Sequence, residues 1–569
     1  FACLAWSRSE TRLLYVAEKS RPKLQPPGAW DVPGAAGLAE EDEEVGCHRG
    51  ADGAVPQGEQ FVYHEDWGEA LSTCSVPVLC ALDLVGSSLS VLEGVPEHLS
   101  PGQALWSPDD RGVVFVGWWH EPFRLGLSAC SNRRWDPPAP CWELLSAEHR
   151  AACSPRLSPD GRHLLYLEGD VGGPHRQCLR LRRVSGALGV PGTAVTPSPR
   201  PPAPPAAFAG LYSQALPPRC WATDSRRVVL GTPQRSRTVS SGDRAGGGPG
   251  PVPCRSPEGC WELLTLQWDL LVATCSAPNR PPSLVVAVLP PAGQELPLHW
   301  VPVEDAPAVP GVTWKTLAIQ PPCSGQSPAA HGEHPGAPAA PGDSGDTVAA
   351  LVAPWVTSPL APGGPHAVFD ARWRPGMAAL CQLGFAVLLV NYRGSLGFGQ
   401  ASISSLLARV GEQDVADTQL AMEQALGSEP LDPQRLALLA GSHGAFIALH
   451  LLAREPERYR ACVLRSPVSN LPALLGTSDI PDWVLGAWGA RHPPLAVPQV
   501  RTPVLLCVGA RDRRICPTQA LELYRVLRAR GVPTRMLWYP EGGHALTGVE
   551  TEADVFRNCA RWLLRHLGP

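Results

Sequence analysis

Residues 436–446 read Leu-Ala-Leu-Leu-Ala-Gly-Ser-His-Gly-Ala-Phe, a short apolar run, a small-residue turn and the start of a second apolar run. The first run predicts a buried strand and the second an apolar helix. Ser442 then lies at the turn, with Gly441 before it and Gly444 two positions after it. Such a turn strains the backbone and leaves no room for larger neighbours. We therefore predict a nucleophilic serine, although Ala440 replaces the first glycine of the usual Gly-x-Ser-x-Gly pattern.

A serine in a glycine-rich turn is also compatible with phosphate binding or with simple helix capping. Two later segments favour catalysis. Asp512 follows a strand predicted at 503–508, and His544 follows one predicted at 535–539. Open α/β sheets place their sites at these strand ends, and the order Ser, Asp, His is that of α/β-hydrolases. We predict Ser442 as nucleophile, His544 as general base and Asp512 as the orienting acid.

The chemistry requires each of these groups. A neutral hydroxyl is a weak nucleophile, so an imidazole must take its proton and a carboxylate must fix the imidazole tautomer. The oxyanion that forms also needs fixed N–H donors. We expect one from the backbone of His443 and another from Gly363 or Gly364, in the stretch Pro-Gly-Gly-Pro-His at 362–366. That stretch is also compatible with an ordinary Pro/Gly turn. No cofactor and no metal ion is expected.

The C-terminal part alternates predicted strands with predicted helices, which indicates a mostly parallel, doubly wound sheet. The strands are predicted at 385–391, 435–440, 503–508 and 535–539, and the helices at 414–426, 445–454, 518–530 and 552–567. We assign 348–569 to an α/β-hydrolase catalytic domain and 321–347 to a low-complexity linker.

The first half repeats one phrase, a Trp or Leu, a polar turn and then a run of apolar residues. The copies begin at Trp6, Trp106, Leu157 and Trp221, so they are 100, 51 and 64 residues apart. Steps of one or two units of roughly 40–50 residues are typical of β-propeller blades with insertions. We predict a propeller over 1–320; a β-sandwich with common turns is the alternative.

Bulk composition narrows the partners. The 569 residues exceed one hydrophobic core, and a net charge of −5 gives no electrostatic reason to expect nucleic acid or membrane partners. The 18 cysteines show no metal-ligand spacing, which favours buried thiols over a disulfide framework or a zinc site. No apolar stretch is long enough to span a membrane, so a cytosolic location is the expectation. The chain begins at Phe1 inside strand-forming sequence, which suggests that a preceding segment is missing.

At these residues the chain resembles the prolyl oligopeptidase family of serine peptidases, most closely its acylaminoacyl-peptidase branch. The phrases that carry the resemblance are 65–69, 92–97, 117–126, 232–237, 385–400, 441–444, 479–483, 512–514 and 544–546. The resemblance implies a propeller that admits only short peptides and an enzyme that removes one N-acylated residue from the peptide N-terminus. It also implies a cytosolic homo-oligomer, a homotetramer, and a role for Arg514 in binding the substrate carbonyl.

The chain departs from that family pattern at several places. Pro362 stands where the family has the first His of His-Gly-Gly-Pro-His, and Ala445 replaces a glycine. The region 484–498 is shorter, and the first blades are expected to be missing. These departures leave open a catalytically impaired propeller and hydrolase scaffold. A third possibility is a dipeptidyl-peptidase-like relative acting on free N-termini, which needs carboxylates for the substrate ammonium; the densest acidic run is Glu40–Glu44.

Overall fold

The fold was analysed in a computed structural model. It describes residues 3–19, 68–69, 76–96, 98–119, 144–147, 150–171, 174, 176–185, 193–194, 208–235, 237–244, 252–253, 259–292, 298–319, 348–350, 357–360, 364–481 and 499–568. The predicted linker at 321–347, the acidic run at 40–44 and the shortened 484–498 region lie outside the described residues.

Five antiparallel sheets follow one another in the described N-terminal half. The first contains β1 (Leu4–Trp6), β2 (Arg12–Glu18), β3 (Pro77–Asp83) and β4 (Ser88–Val91), and the second β5 (Leu99–Trp106) and β6 (Val113–Trp119). The third contains β7 (Arg150–Leu157), β8 (His163–Asp170), β9 (Arg180–Ser185) and β10 (Thr193–Ala194). The fourth contains β11 (Arg227–Gln234), β12 (Arg237–Arg244) and β13 (Val252–Pro253), and the fifth β14 (Cys260–Gln267), β15 (Leu270–Ala277), β16 (Arg280–Val288) and β17 (Val301–Pro302).

The repeated sequence phrase forms the same turn in the first four sheets. In each copy, the backbone N–H of the first turn residue donates to the carbonyl of the residue five positions later, at 2.8–2.9 Å. These first turn residues are Ser7, Ser107, Ser158 and Ala222. The fourth residue of each turn has a positive φ: Glu10, Asp110, Gly161 and Ser225. The phrase therefore encodes a fixed hairpin turn, and its recurrence marks successive sheets. The 100-residue step from Trp6 to Trp106 is one sheet long, because residues 19–76 lie between the paired strands β2 and β3.

Hairpin turns of adjacent sheets are hydrogen-bonded to each other at three places among the described residues. The Asp110 carboxylate accepts the backbone N–H groups of Arg8 at 2.7 Å and Ser9 at 2.9 Å. Similar bonds run from the Asp160 N–H to the Ser225 hydroxyl at 3.2 Å, and from the Thr223 N–H to the Asp269 carboxylate at 2.9 Å. Adjacent sheets are thus joined through the loops that the sequence repeats.

The C-terminal part is built on one eight-stranded sheet in the order β18-β19-β21-β20-β22-β23-β24-β25. The strands are β18 (Lys315–Leu317), β19 (Val348–Ala350), β20 (Thr357–Leu360), β21 (Ala386–Leu389), β22 (Leu436–Gly441), β23 (Tyr459–Arg465), β24 (Val504–Gly509) and β25 (Thr534–Tyr539). Pairing is antiparallel at β18 and β19 and parallel from β21 to β25. Strand β18 precedes the predicted linker yet pairs with this sheet; its short polar sequence gave no sign of this.

Helices cover both faces of the sheet. The described helices are α1 (Pro375–Gln382), α2 (Gln400–Ser405), α3 (Gln413–Ser428), α4 (His443–Arg454), α5 (Leu471–Leu474), α6 (Pro517–Ala529) and α7 (Val549–Leu567). Leu436, Leu438 and Ala440 face α3, α4 and α6, while Ala437 and Leu439 face α1 and α7. Burial on both faces explains why the central strands are uninterrupted apolar runs.

Candidate active site

The backbone at Ser442 has the strained conformation that the flanking small residues predict. Ser442 lies between β22 and α4 with φ 53° and ψ −125°. Its N–H donates to the Arg465 carbonyl at 3.0 Å, and its own carbonyl accepts the Ala445 N–H at 3.0 Å. These bonds hold a left-handed, non-glycine residue that would otherwise relax.

The structure brings Ser442, His544 and Asp512 together. Ser442 Oγ lies 3.1 Å from His544 Nε2, and His544 Nδ1 lies 2.9 Å from Asp512 Oδ2. The other Asp512 oxygen accepts the Ile515 N–H at 2.8 Å, and its side chain is fully buried, whereas that of His544 is 24% exposed. With the proton on Nδ1, the imidazole donates to the carboxylate and accepts from the serine hydroxyl, the arrangement a general base requires.

Two of the predicted oxyanion donors, His443 and Gly364, are among the described residues. His443 is the first residue of α4, directly after Ser442. Gly363 lies outside the described residues, as does Pro362. Gly364 is described, and a side chain there would lie 2.9 Å from the His366 backbone nitrogen. This loop is packed too tightly for any residue but glycine at 364.

The comparisons with known proteins agree on one family. Residues 372–569 match the prolyl oligopeptidase family model, and residues 1–175 and 191–309 match the model of the acylamino-acid-releasing enzyme N-terminal domain. The mouse acylamino-acid-releasing enzyme is 45% identical over this whole chain and 80% of its own length, and the human enzyme is 44% identical over the same shares. The chain belongs to the acylamino-acid-releasing enzyme family.

Two solved structures share the fold of this chain. An acylaminoacyl peptidase from Pyrococcus horikoshii matches 99% of this chain and 81% of its own, with a TM-score of 0.69 at 14% identity. A puromycin hydrolase matches 87% of this chain and 74% of its own, with a TM-score of 0.61 at 19% identity. The prediction of a propeller followed by an α/β-hydrolase domain is confirmed.

Glu69, from the N-terminal half, contacts the loops that carry Asp512 and His544. Glu69 Oε1 accepts the His544 N–H at 2.8 Å, and Oε2 accepts the Arg513 N–H at 2.8 Å. A side chain at Gly543 would collide with the Glu69 carboxylate. One carboxylate thus bridges the loop after β24 and the loop after β25. Nothing in the family phrase at 65–69 indicated a role for Glu69.

Arg514 is held by an ion pair with Asp479. Its Nε donates to Asp479 Oδ1 at 2.6 Å and its Nη2 to Oδ2 at 3.3 Å. The Asp479 carboxylate, nearly buried, also accepts the Glu69 N–H at 2.8 Å. Planar two-point pairing of this kind fixes the plane of a guanidinium. The predicted substrate arginine is therefore connected to the His544 loop through Asp479 and Glu69.

A second pair of a carboxylate and an imidazole, from Asp414 and His443, lies next to the turn at Ser442. His443 Nε2 lies 2.8 Å from Asp414 Oδ2, and both side chains are fully buried. The Tyr392 ring packs beside His443, with centroids 6.0 Å apart. Burial, and next the Asp414 charge, raise the pKa of Tyr392 well above its usual value. The sequence pattern indicated a role for the backbone N–H of His443 but none for its side chain or for Asp414.

Proposed function

We propose that this chain is a serine peptidase that hydrolyses the first peptide bond of short N-acylated peptides and releases the N-acyl amino acid. The observation that carries the proposal is the hydrogen-bonded triad of Asp512, His544 and Ser442, in a chain of the acylamino-acid-releasing enzyme family. Ser442 forms an acyl-enzyme with the acylated residue.

The reaction proceeds in two proton-balanced steps. His544 Nε2 takes the Ser442 proton as Oγ attacks the carbonyl carbon, and Asp512 stabilises the imidazolium. The backbone N–H of His443 and an N–H from Gly363 or Gly364 receive the oxyanion charge. His544 then passes its proton to the leaving amine, and the peptide without its first residue departs. In the second step His544 takes a proton from a water molecule, whose oxygen attacks the acyl carbon; the bond to Oγ then breaks, His544 returns the proton to Oγ, and the N-acyl amino acid departs.

Arg514 binds a substrate carbonyl in this proposal. Its side chain is 34% exposed while Asp479 is 2% exposed, so the guanidinium is anchored on one side and reachable on the other. An anchored arginine loses less freedom when it binds substrate, which lowers the cost of association.

Substrates with a free N-terminus are the main alternative. A site for a free amine needs carboxylates that face the substrate, whereas the Glu69 carboxylate is occupied by the N–H groups of His544 and Arg513. This favours an uncharged, acylated N-terminus. A peptide pair that differs only by an acetyl group measures the preference directly.

The deciding experiment uses acetyl-Ala-p-nitroanilide. We expect release of p-nitroaniline by the wild type, none by Ser442→Ala, and unchanged release by Ser428→Ala, since Ser428 is exposed at the end of α3 away from the relay. A fluorophosphonate probe should label the wild type at Ser442. A folded wild type that neither hydrolyses nor reacts would establish the impaired scaffold instead.

The remaining assignments are a cytosolic location and a homotetramer, which rest on the family. Among the helices that the structure describes, none is both long and apolar enough to cross a membrane. Light scattering of the purified chain should give four times the 60.6 kDa chain mass. Fractionation of cells that express it should place the activity in the cytosol.

A further inference from the structure

We infer that Asp414 is a positioning residue for the oxyanion-binding side of this site and that it acts through the imidazole of His443. The inference rests on the proposed function, in which the His443 backbone N–H receives the oxyanion charge. The side chains of Asp414 and His443 do not reach the substrate, because both are fully buried.

The Asp414 carboxylate is itself rigidly held. It lies in the first turn of α3, where Oδ1 accepts the N–H groups of Gly411 at 2.7 Å and Val415 at 3.0 Å. The Asp414 carbonyl accepts the Thr418 hydroxyl at 2.7 Å. Only Oδ2 points to His443, at 2.8 Å. A carboxylate fixed by two backbone donors near a helix N-terminus is a stable anchor for a third.

The arrangement repeats the logic of the Asp512 and His544 pair. In both, one carboxylate oxygen accepts backbone N–H and the other meets an imidazole nitrogen. The difference is exposure: His544 is 24% exposed and exchanges protons with substrate, whereas His443 is fully enclosed. An enclosed imidazole bonded to a fixed carboxylate restricts its own residue, and His443 is the residue whose N–H must point at the oxyanion.

The same cluster reaches the second predicted donor loop. Tyr392 packs against His443, and its hydroxyl donates to the Pro365 carbonyl at 2.8 Å, one residue after Gly364. His366 Nδ1 lies 2.8 Å from the Gly394 carbonyl in the same loop region. Asp414, His443 and Tyr392 thus form a buried support that touches both sides of the predicted oxyanion site.

The sharpest perturbation is Asp414→Asn, which keeps the shape of the side chain. An amide has one acceptor oxygen where the carboxylate has two. Either the backbone N–H groups of Gly411 and Val415 or the imidazole N–H of His443 must then face an NH₂ group. We expect kcat for acetyl-Ala-p-nitroanilide, per titrated active site, to fall about 10- to 100-fold, less than or equal to the loss of a direct oxyanion donor. KM should change by less than about threefold, because the loss is confined to the transition state.

Three further variants secure the reading. His443→Leu removes the imidazole N–H that bonds Asp414, while His443→Gln keeps a side-chain N–H at similar reach. We therefore expect a smaller loss of kcat in His443→Gln than in His443→Leu. His566→Gln is the control for the imidazole-to-amide change, since His566 lies in the last turn of α7 beside the Trp562 ring, and kcat should stay within about twofold. Should Asp414→Asn fail to fold, the inference is tested by comparing kcat of the two His443 variants. A kcat of His443→Gln no higher than that of His443→Leu would overturn the inference.

The rate of fluorophosphonate labelling at Ser442 is measured in parallel, because it reports the serine and oxyanion site without any peptide. If the probe labels the wild type but the wild type cleaves no acetylated peptide, the proposed substrate is refuted. The labelling rates of the variants would still test the role of the Asp414 and His443 pair. Unchanged kcat and labelling per titrated site in Asp414→Asn would overturn the inference. A rise in KM at constant kcat would also overturn it, by assigning the pair to substrate binding.

Discussion

Replacing Glu69 with glutamine tests whether the N-terminal half contributes to catalysis. The Glu69 carboxylate accepts two backbone N–H groups, from His544 and Arg513, each at 2.8 Å. Glutamine has the same shape but one acceptor oxygen, so one of the two N–H groups must face an NH₂ group.

The magnitude follows from the number of bonds. A hydrogen bond to a charged acceptor contributes roughly 1.5–3 kcal/mol, and Glu69→Gln removes one of two. If most of that loss appears as a less well placed His544 in the transition state, kcat/KM falls about 10- to 100-fold. Glu69→Ala removes both bonds and should cost more than Glu69→Gln.

The assay is steady-state hydrolysis of acetyl-Ala-p-nitroanilide, normalised to active sites titrated with a fluorophosphonate. The control is Glu541→Gln, because Glu541 is an exposed acid near the same loop, 2.5 Å from Arg511, and exposed pairs contribute little. We expect the control to stay within about twofold of the wild type. Should Glu69→Gln also stay within about twofold, the support assigned to Glu69 is refuted.

Four further predictions concern the catalytic relay and the core. Gly543→Ala should reduce kcat/KM as Glu69→Gln does and should add little to it in the double variant, because both displace the same carboxylate; additive losses would contradict this. Asp512→Asn should lower kcat by about four orders of magnitude by favouring the wrong imidazole tautomer, and a loss below about tenfold would exclude the assigned role. Burial, followed by the Arg454 charge, lowers the pKa of His450 to about 4, so the folded state gains stability as pH rises from about 4 to 6.5 and loses it as pH falls through that range. In His450→Gln the difference in unfolding free energy between pH 7 and pH 4 should shrink by about 3 kcal/mol in denaturant titrations, and an unchanged difference would assign the acid sensitivity elsewhere. Leu438→Ala should lower the unfolding free energy by about 2–5 kcal/mol because Leu438 is 1% exposed in the central strand; a loss below about 1 kcal/mol would mean the sheet repacks around the cavity.

The hydrolase fold was predictable because its strands are short apolar runs buried on both faces. The helix predicted at 414–426 lies within α3, and the strand predicted at 435–440 is offset by one residue from β22. Strand β23 was missed although it is central. Its sequence Tyr-Arg-Ala-Cys-Val-Leu-Arg carries charged residues at 460 and 465, which interrupt the apolar run.

The meeting of Ser442, His544 and Asp512 was predictable for a different reason. Each of these residues follows a strand end, and the sheet topology brings those ends to one edge. The supporting carboxylates gave no comparable signal. Glu69 is 475 residues from His544, and Asp414 is 29 residues from His443, with no spacing rule that links either pair. Such partners are fixed by tertiary packing, which local patterns do not encode.

The turn-to-turn bonds in the N-terminal half make its stability a property of neighbours. Asp110 completes the backbone bonding of residues 8 and 9 in the preceding turn, and Asp269 does the same for Thr223. If one of these sheets opened alone, the adjoining sheet would lose a hydrogen-bond partner, so partial unfolding is penalised at the boundaries where the turns are bonded. We therefore expect damage to one of these turns to destabilise the adjoining sheet as well as its own.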